Sequence, residues 1–361
     1  MQITNLKLQN FRNYNTQEIS FSKYNIIYGK NGMGKTNLIE AIYVLALTKT
    51  FRSNNEKIVI QEDKDITKIN GTIQDDIKNN FEVIINKTGK KVKINNNIYK
   101  KISDYISNIK VILFNPNDLQ IIKESPSIRR KLLNVSISQY NNRYLKILSN
   151  YNKILKQRNS YLKTMYINGN SSKEYLDILT SKLVELGLEI HEYRNNYIEN
   201  INSKINIFYK KISNIDGINI EYISDYNDLS KEKLIKKYKD SLDKDMILGM
   251  TKLGVHHDDL LFKLNNKELK EYGSEGQQKN AIISFKLSEI EVFKEKINKI
   301  PILILDDLFS ELDEEKINNI LKIIDNDVQT FITTTEIDKV NKKILENSKI
   351  FHITESGIKE E

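Results

Sequence analysis

The segment Gly29–Thr36 (GKNGMGKT) restricts the possible folds of this chain more than any other segment. It matches the pattern G-x-x-x-x-G-K-[ST] at every position. The apolar run Tyr24–Tyr28 precedes it, and Thr36–Leu47 carries apolar residues at helical spacing, so the order strand, loop, helix is predicted. Glycines let the backbone N–H groups of such a loop surround phosphate oxygens, and the helix N-terminus adds a partial positive charge. The sequence therefore predicts a P-loop nucleotide-binding fold.

The side chains at the end of this loop have expected roles of their own. Lys35 would reach the β- and γ-phosphates, and the Thr36 hydroxyl would hold Mg²⁺. The residues expected to contact the nucleotide are Gly29, Lys30, Asn31, Gly32, Met33, Gly34, Lys35 and Thr36.

A second motif, Pro301–Asp307 (PILILDD), has the pattern of a buried strand that ends in two carboxylates. In a P-loop protein Asp306 would bind Mg²⁺ through water, and Asp307 lies where a hydrolytic water has to be polarised. About 240 positions separate Thr36 from Gly276, which lies shortly before this strand. We therefore expect a nucleotide fold assembled from both ends of the chain, with a large insertion between them.

The segment Tyr272–Lys279 (YGSEGQQK) precedes a predicted helix over 280–293. A Ser-x-Gly-Gln sequence at a helix start presents a hydroxyl and backbone N–H groups to an anion. The sequence LFSELD at 308–313 follows the two carboxylates directly, and Thr330–Thr335 is predicted to be a further strand. This order of motifs resembles that of the ABC-type ATPases.

Within the ABC-type ATPases the sequence resembles the RecF family, which is related to the SMC and Rad50 heads. The resemblance covers about residues 1–337 and depends on an ordered set of short segments. Those segments are Leu6–Tyr14 (LKLQNFRNY), Lys49–Arg52 (KTFR), Leu113–Leu119 (LFNPNDL), Ser127–Arg130 (SIRR) and Gly273–Lys279 (GSEGQQK).

The resemblance implies roles for residues in a dimer of two heads. Two heads would associate face to face, with each ATP held between one phosphate loop and the partner's Ser274. Gly276 and Arg12 would join the ATP-binding residues, and Ser310–Asp313 would form a loop that crosses the dimer. ATP and Mg²⁺ are the implied cofactors.

The catalytic and metal-binding residues follow from the same resemblance. Asp307 and Lys35 are the expected catalytic residues, and Thr36 and Asp306 are the expected metal ligands. Asp307 stands where ABC-type ATPases commonly have Glu, and its side chain is one methylene shorter, so slow turnover is expected.

Two other segments depart from family patterns. Within Thr251–Leu260, Val255 and His257 stand where RecF proteins usually have Pro and Arg, and an unperturbed histidine is mostly uncharged at neutral pH. The strand ending in Thr333–Thr335 lacks the His that many ABC ATPases use, which is itself a RecF-like pattern.

The expected fold class is α/β, with an ABC-type ATPase head and an inserted α-helical hairpin arm. The head, residues 1–120 and 245–361, would combine a mixed or parallel P-loop sheet with an antiparallel β subdomain. Alternating stretches at Ile66–Ile73, Phe81–Asn86 and Lys91–Ile98 predict that antiparallel sheet.

The arm is expected at residues 121–244. Helical spacing over Val135–Met165 and from Lys173 to about Ile212, with a break at 168–172, predicts an antiparallel helix pair. Helices of about 35 residues give an arm of roughly 50 Å, too short for an SMC or Rad50 coiled coil.

Composition excludes several classes of enzyme. The 361 residues contain no Cys and four His, without metal-ligand spacing, so a cysteine hydrolase is excluded and a zinc enzyme is not expected. No apolar run approaches the ~20 residues of a membrane span, and no secretory signal is visible, so a cytoplasmic protein is expected. The RecF resemblance further implies that it is nucleoid-associated. The net charge of +8 weakly favours an acidic partner such as nucleic acid.

The RecF resemblance implies a weak DNA-dependent ATPase that uses ATP as a switch. ATP would join two copies on duplex or gapped DNA, without sequence preference, and the protein would act with RecR and RecO to help load RecA recombinase. Basic residues of the arm that could hold the DNA backbone are Arg129, Arg130, Lys131, Arg143, Lys146, Lys153, Lys156, Arg158 and Lys163. Two alternatives stay open, namely an ABC transporter ATPase subunit and another SMC-like chromosome-maintenance ATPase.

Overall fold

The computed structural model describes residues 1–168, 172–307, 317, 320, 322–324, 327–340, 342–355 and 357–361. These residues form two compact units, Met1–Asp118 with Ile283–Glu361, and Leu119–Ile282.

The strands within the described residues follow in chain order: β1 (Gln2–Phe11), β2 (Tyr14–Ser20), β3 (Tyr24–Tyr28), β4 (Ile66–Gln74), β5 (Lys78–Asn86), β6 (Lys90–Ile94), β7 (Asn97–Tyr99), β8 (Val111–Phe114), β9 (Ile218–Ile223), β10 (Asp259–Leu264), β11 (Lys267–Glu268), β12 (Ile302–Leu305), β13 (Thr330–Thr334), β14 (Ser348–Thr354) and β15 (Gly357–Glu360). The longer helices and helical turns are α1 (Lys35–Leu47), α2 (Ile102–Ile106), α3 (Gln120–Lys123), α4 (Pro126–Tyr140), α5 (Asn142–Asn168), α6 (Lys173–Ser213), α7 (Lys231–Asp240), α8 (Leu242–Leu248), α9 (Leu269–Tyr272) and α10 (Glu275–Ile297).

The first unit contains a mixed sheet in the order β15-β14-β3-β13-β12-β8. All neighbours from β14 to β8 are parallel, and β15 is antiparallel at one edge. The four residues of β12 are all 0% exposed, which explains why this strand reads as a continuous apolar run and not as an alternating one. The predicted P-loop sheet is confirmed, and β13 lies between the strand before the phosphate loop and the strand before Asp306.

The same unit contains an antiparallel sheet in the order β2-β1-β4-β5-β6-β7. It confirms the predicted antiparallel subdomain and extends it by β1 and β2. The predicted single stretch Lys91–Ile98 is wrong, because β6 and β7 are separated by a tight turn. Asn95 and Asn96 have φ of 49° and 68°, and Asn tolerates this left-handed conformation in two-residue hairpin turns.

In the second unit α5 and α6 form the predicted antiparallel hairpin. Arg143 contacts Glu189 and Arg158 contacts Thr180, so positions later in α5 meet earlier positions of α6. The helical pattern predicted from Val135 is interrupted at Asn141, which has extended backbone between α4 and α5.

A small sheet in the order β11-β10-β9 also belongs to the second unit. Strand β9 pairs with β10 over six residues, from Ile218 opposite Leu264 to Ile223 opposite Asp259. The boundary at 244/245 drawn from the sequence would separate these paired strands, whereas the compact units divide at 282/283.

Within the part of the chain that the structure describes, no helix is both long enough and apolar enough to span a membrane.

Candidate functional site

The phosphate loop connects β3 to α1, as the motif predicts. Gly29, Gly32 and Gly34 have φ of 149°, 85° and 113°, all in the region that favours glycine. A Cβ on Gly29 would lie 2.3 Å from the Ile353 carbonyl oxygen, and one on Gly34 would lie 2.6 Å from Asn13 Nδ2. Glycine is therefore required by close approach at Gly29 and Gly34 as well as by backbone conformation.

The α1 helix starts without a side-chain cap, because Gly34 occupies the N-cap position. The N–H groups of the first turn of a helix have no partner within that helix, and an anion at this end satisfies them. Lys30, Asn31 and Gly32 are exposed along the loop, and Met33 is half-buried. The backbone and helix end together fit a phosphate group.

The Lys35 side chain lies across the loop. Its Nζ donates hydrogen bonds to the carbonyls of Gly29 at 2.7 Å and Lys30 at 3.0 Å, and lies 3.4 Å from Asn31 Oδ1. Burial lowers the pKa of Lys35, and the nearby carboxylates of Asp307 and Asp306 oppose that shift. An anionic ligand that binds at the loop would contact this ammonium group directly.

The two carboxylates follow β12 at the same edge of the sheet. Asp306 Oδ1 accepts hydrogen bonds from the hydroxyls of Thr36 at 3.2 Å and Thr333 at 2.8 Å. Burial raises the pKa of Asp306, and the hydrogen bonds from Thr333 and Thr36 oppose the rise. The fold thus brings together the two predicted metal ligands from positions 270 residues apart.

Asp307 has φ of 48°, and its backbone N–H donates to Thr333 Oγ1 at 2.8 Å. Thr333 therefore bonds to Asp306 through its proton and to Asp307 through its oxygen, and fixes the turn after β12. Its position in the sequence gives no sign of this dual contact beyond the run of three threonines.

Carboxylate and hydroxyl oxygens such as those of Asp306 and Thr36 are the ligands that Mg²⁺ prefers. The residues present fit this ion.

Arg12 lies in the turn after β1 and forms a two-point ion pair with Glu40. Arg12 Nε and Nη2 each lie 2.8 Å from a Glu40 oxygen. The Thr50 hydroxyl also donates to Glu40, and Arg52 Nη1 lies 3.9 Å from it. Sequence reasoning missed Glu40, although a carboxylate among the apolar residues of α1 was a signal.

Side chains from Leu6–Tyr14 also hold the loop backbone. Asn13 Nδ2 donates to the Met33 carbonyl at 3.2 Å, and the Tyr14 hydroxyl donates to the Gly34 carbonyl at 3.1 Å. Asn37 Nδ2 in turn donates to Asn13 Oδ1 at 2.9 Å. The segment that carried the family resemblance is thus part of the site.

Ser274 and Gly276 lie in the second unit, at the start of α10. The Ser274 N–H donates to Gln277 Oε1 at 2.9 Å, and the Gln277 N–H donates to Ser274 Oγ at 3.3 Å. This reciprocal pair is a capping box. Both Ser274 and Gly276 are exposed, and a Cβ on Gly276 would meet no atom within 4 Å. The predicted dimer-crossing loop Ser310–Asp313 lies outside the described residues.

The loop that departs from the family pattern packs within the second unit. Val255 is buried, and its carbonyl accepts from Arg194 Nη1 at 2.6 Å. His257 is exposed, with Nε2 at 3.3 Å from the Thr251 carbonyl.

Several predicted basic residues of the arm have internal roles. Arg129 pairs with Asp259, and Arg158 pairs with Asp245 at 2.8 Å, and both arginines are buried. Arg130 is half-buried and donates to the Asp258 carbonyl. The exposed members of the predicted set are Lys131, Arg143, Lys146, Lys153, Lys156 and Lys163.

Comparison with known proteins places this chain in a family. Residues 2–359 match the family described as RecF/RecN/SMC N terminal domain. The DNA replication and repair protein RecF of Ligilactobacillus salivarius (strain UCC118) is 38% identical over 371 residues, with 100% of this chain and 98% of the relative covered. The chain belongs to the RecF family. RecF of Enterococcus faecalis (strain ATCC 700802 / V583) is 37% identical, with 99% of this chain and 98% of the relative covered.

Solved structures agree with this assignment. A structure titled as the recombination mediator protein RecF with ATPrS in the RecFOR pathway is 31% identical, with a TM-score of 0.91 over 99% of this chain and 98% of that chain. An SMC head bound to the C-winged helix domain of ScpA has a TM-score of 0.56 at 14% identity over 99% of this chain and 96% of that chain. The second likeness shows the SMC-head fold alone.

Proposed function

We propose that this protein is an ATP-switched DNA-binding protein of RecF type. The observation that carries the proposal is the meeting of Thr36, Asp306 and Thr333 beside a glycine-rich loop. RecF family membership favours this function over that of a transporter ATPase subunit.

In the proposed ATP complex the loop N–H groups and Lys35 bind the phosphates. Lys35 exchanges its bonds to the Gly29 and Lys30 carbonyls for phosphate oxygens, which are stronger acceptors because they are charged. Mg²⁺, when bound at Thr36 and Asp306, would neutralise charge that develops on the phosphates. Asp307 would orient and polarise the attacking water, and its short side chain suits slow turnover.

The proposed dimer uses Ser274. Its hydroxyl and the N-terminus of α10 are exposed, so a second copy of this chain could place an ATP phosphate there. ATP would then favour the dimer, since only the dimer contacts the γ-phosphate from both sides. Hydrolysis removes that contact and releases the pair.

DNA is the proposed partner of the dimer. The exposed lysines of the arm suit contacts with phosphates, which carry no sequence information. The similar RecF structure is described as part of the RecFOR pathway, which supports action beside RecR and RecO. The resemblance to RecF extends the proposal to gapped DNA and to help in loading RecA. A cytoplasmic, nucleoid-associated location follows from such a role.

Sedimentation velocity with and without ATP and Mg²⁺ tests the switch. Wild type should pass from monomer to dimer with ATP, whereas Lys35→Met, which loses the phosphate-binding cation, should stay monomeric. A Lys35→Met protein that dimerises with ATP as wild type does would refute the switch. Wild type that stays monomeric with bound ATP would refute the proposed dimer.

A further inference from the structure

Glu40 is a buried carboxylate in the middle of α1. Its exposed fraction is 0%, and it is one of ten buried residues among the 13 of the helix. An ionised carboxylate in such surroundings is tolerated only when it is paired and hydrogen-bonded. The residues that pair with Glu40 therefore indicate its role.

Two arginines from different segments share this carboxylate. Arg12 comes from the turn between β1 and β2, and its Nε and Nη2 lie 2.8 Å from Glu40. Arg52 follows α1, with Nη1 at 3.9 Å from Glu40. The Thr50 hydroxyl donates to the same group and also accepts from the Arg52 N–H at 3.0 Å.

The shared carboxylate leaves part of each guanidinium for another anion. Among the described residues Arg12 Nη1 has no hydrogen-bond partner, and its other two nitrogens are fixed by Glu40. Arg12 also has φ of 52°, and its N–H is held by the Val59 carbonyl at 2.8 Å. Its direction is thus set at the backbone and at the carboxylate.

Arg52 lies at the phosphate end of the site. Its Nη1 donates to Asn37 Oδ1 at 2.9 Å, and Asn37 follows Thr36 in the first turn of α1. Its side chain is 45% exposed. Thr36, the neighbour of Asn37, donates a hydrogen bond to Asp306, so Arg52 lies beside the predicted metal-binding end of the site.

We propose that Glu40 is a positioning residue of the nucleotide site, which aims Arg12 and Arg52 at the terminal phosphate of ATP. The inference rests on the proposed ATP binding. A guanidinium bonds to a carboxylate in a planar, forked geometry, so the two-point pair with Glu40 fixes the direction of Arg12. The Arg52 guanidinium lies 3.9 Å from the same carboxylate, and hydrogen bonds to Thr50 and Asn37 hold Arg52 beside it. Asp306 marks the end of the site where the γ-phosphate would lie, so ATP should depend on this arrangement more than ADP does.

Titration calorimetry of ATPγS and ADP with Glu40→Gln tests the proposal. The amide keeps the size of the side chain but loses the charge, and it places an N–H donor against the arginines. ATPγS affinity should fall at least tenfold, while ADP affinity should change less than threefold. Glu40→Asp, which keeps the charge at a shorter reach, should recover part of the ATPγS affinity.

Arg52→Gln supplies an independent test, because a substitution at this exposed position should not prevent folding. Arg52→Gln should lower the affinity for ATPγS more than the affinity for ADP. Lys57→Gln, which removes an exposed positive charge on the nearby helical turn, should leave the ATPγS affinity unchanged. The double variant Glu40→Gln with Arg52→Gln should bind within threefold of Glu40→Gln, because both changes disable the same contact.

Two results would overturn the proposal. One is a folded Glu40→Gln protein that binds ATPγS within threefold of wild type. The other is an equal loss of ATPγS and ADP affinity together with a lower Tm, which would make Glu40 a structural residue only. If Glu40→Gln fails to fold, equal ATPγS affinities of Arg52→Gln and Lys57→Gln would overturn it. Lys35→Met in the same titration shows whether the proposed ATP binding itself has failed. If it has, wild type and Lys35→Met both give no binding signal, whereas failure of the Glu40 proposal alone leaves wild-type binding of ATPγS intact.

Discussion

Gly34→Ala should remove most nucleotide binding while leaving the protein folded. Gly34 has φ of 113° and ψ of 6° at the junction of the phosphate loop with α1. The added methyl would lie 2.6 Å from Asn13 Nδ2 and 3.1 Å from the Tyr14 hydroxyl. These side chains hold the carbonyls of Met33 and Gly34, so the substitution strains the backbone and displaces its supports.

The size of the effect follows from these two contributions. A non-glycine residue held in such a backbone conformation costs about 1–3 kcal/mol. Loss of the Asn13 bond to Met33 adds about 0.5–1.5 kcal/mol. The unbound loop can relax and release the strain. The energy needed to restore its phosphate-binding conformation is therefore subtracted from the free energy of nucleotide binding. About 2 kcal/mol or more then corresponds to a loss of roughly thirtyfold or more in affinity, at about 1.4 kcal/mol per tenfold.

Two other glycines separate the contributions. Gly32 has φ of 85°, and a Cβ there meets nothing within 4 Å, so Gly32→Ala carries the backbone strain alone and should have an intermediate effect. Gly89, in the turn between β5 and β6, has neither constraint, so Gly89→Ala should bind ATPγS as wild type does. Calorimetric titration of the three variants is the assay. Gly34→Ala binding within threefold of Gly89→Ala would refute the reasoning.

Three further predictions concern the carboxylate, the arm and the dimer. Because burial raises the pKa of Asp306, the nucleotide-free protein should lose stability as the pH rises from 3.8 through the raised pKa. Asp306→Asn should therefore have a higher Tm than wild type at pH 7, but its Tm should not rise on addition of ATP and Mg²⁺. An increase in the Tm of Asp306→Asn with ATP and Mg²⁺ as large as that of wild type would contradict this. Arg194→Met should lower the free energy of unfolding by about 3–5 kcal/mol in urea titrations, because Asp258 stays buried without the arginine that lies 2.6 Å from it. The double variant Arg194→Met with Asp258→Leu should recover much of the lost stability. Equal stability of Arg194→Met and wild type would count against this prediction. Ser274→Arg should bind ATP as a monomer with wild-type affinity but fail to dimerise in sedimentation, and a loss of monomer ATP affinity would contradict a role across the dimer.

Local patterns predicted the phosphate loop and its sheet well. Gly29–Thr36 and the strand Tyr24–Tyr28 carry their structure in adjacent residues, and the apolar run before Asp306 is typical of a strand buried on both faces. The hairpin followed from helical spacing on both sides of 168–172. The break at Asn141 was missed, because helical spacing of apolar residues continues across it.

Contacts between distant residues could not be predicted in this way. Glu40 meets Arg12 and Arg52 through side chains from three segments, and no spacing rule connects them. Pairing of β9 with β10 likewise joins residues about 40 positions apart, so no local pattern indicated that 245–282 belongs with the arm. Arg129 and Arg158 read as surface cations, and only the fold reveals their buried partners.

Sedimentation of the protein on a fluorescent gapped duplex, with ATP, with ADP and without nucleotide, tests the central claim most directly. An ATP switch predicts two protein copies per DNA with ATP only, at an affinity that falls steeply with salt and varies little with sequence. Lys35→Met should give no such complex. Equal DNA binding in all three nucleotide states, by wild type and Lys35→Met alike, would contradict the account.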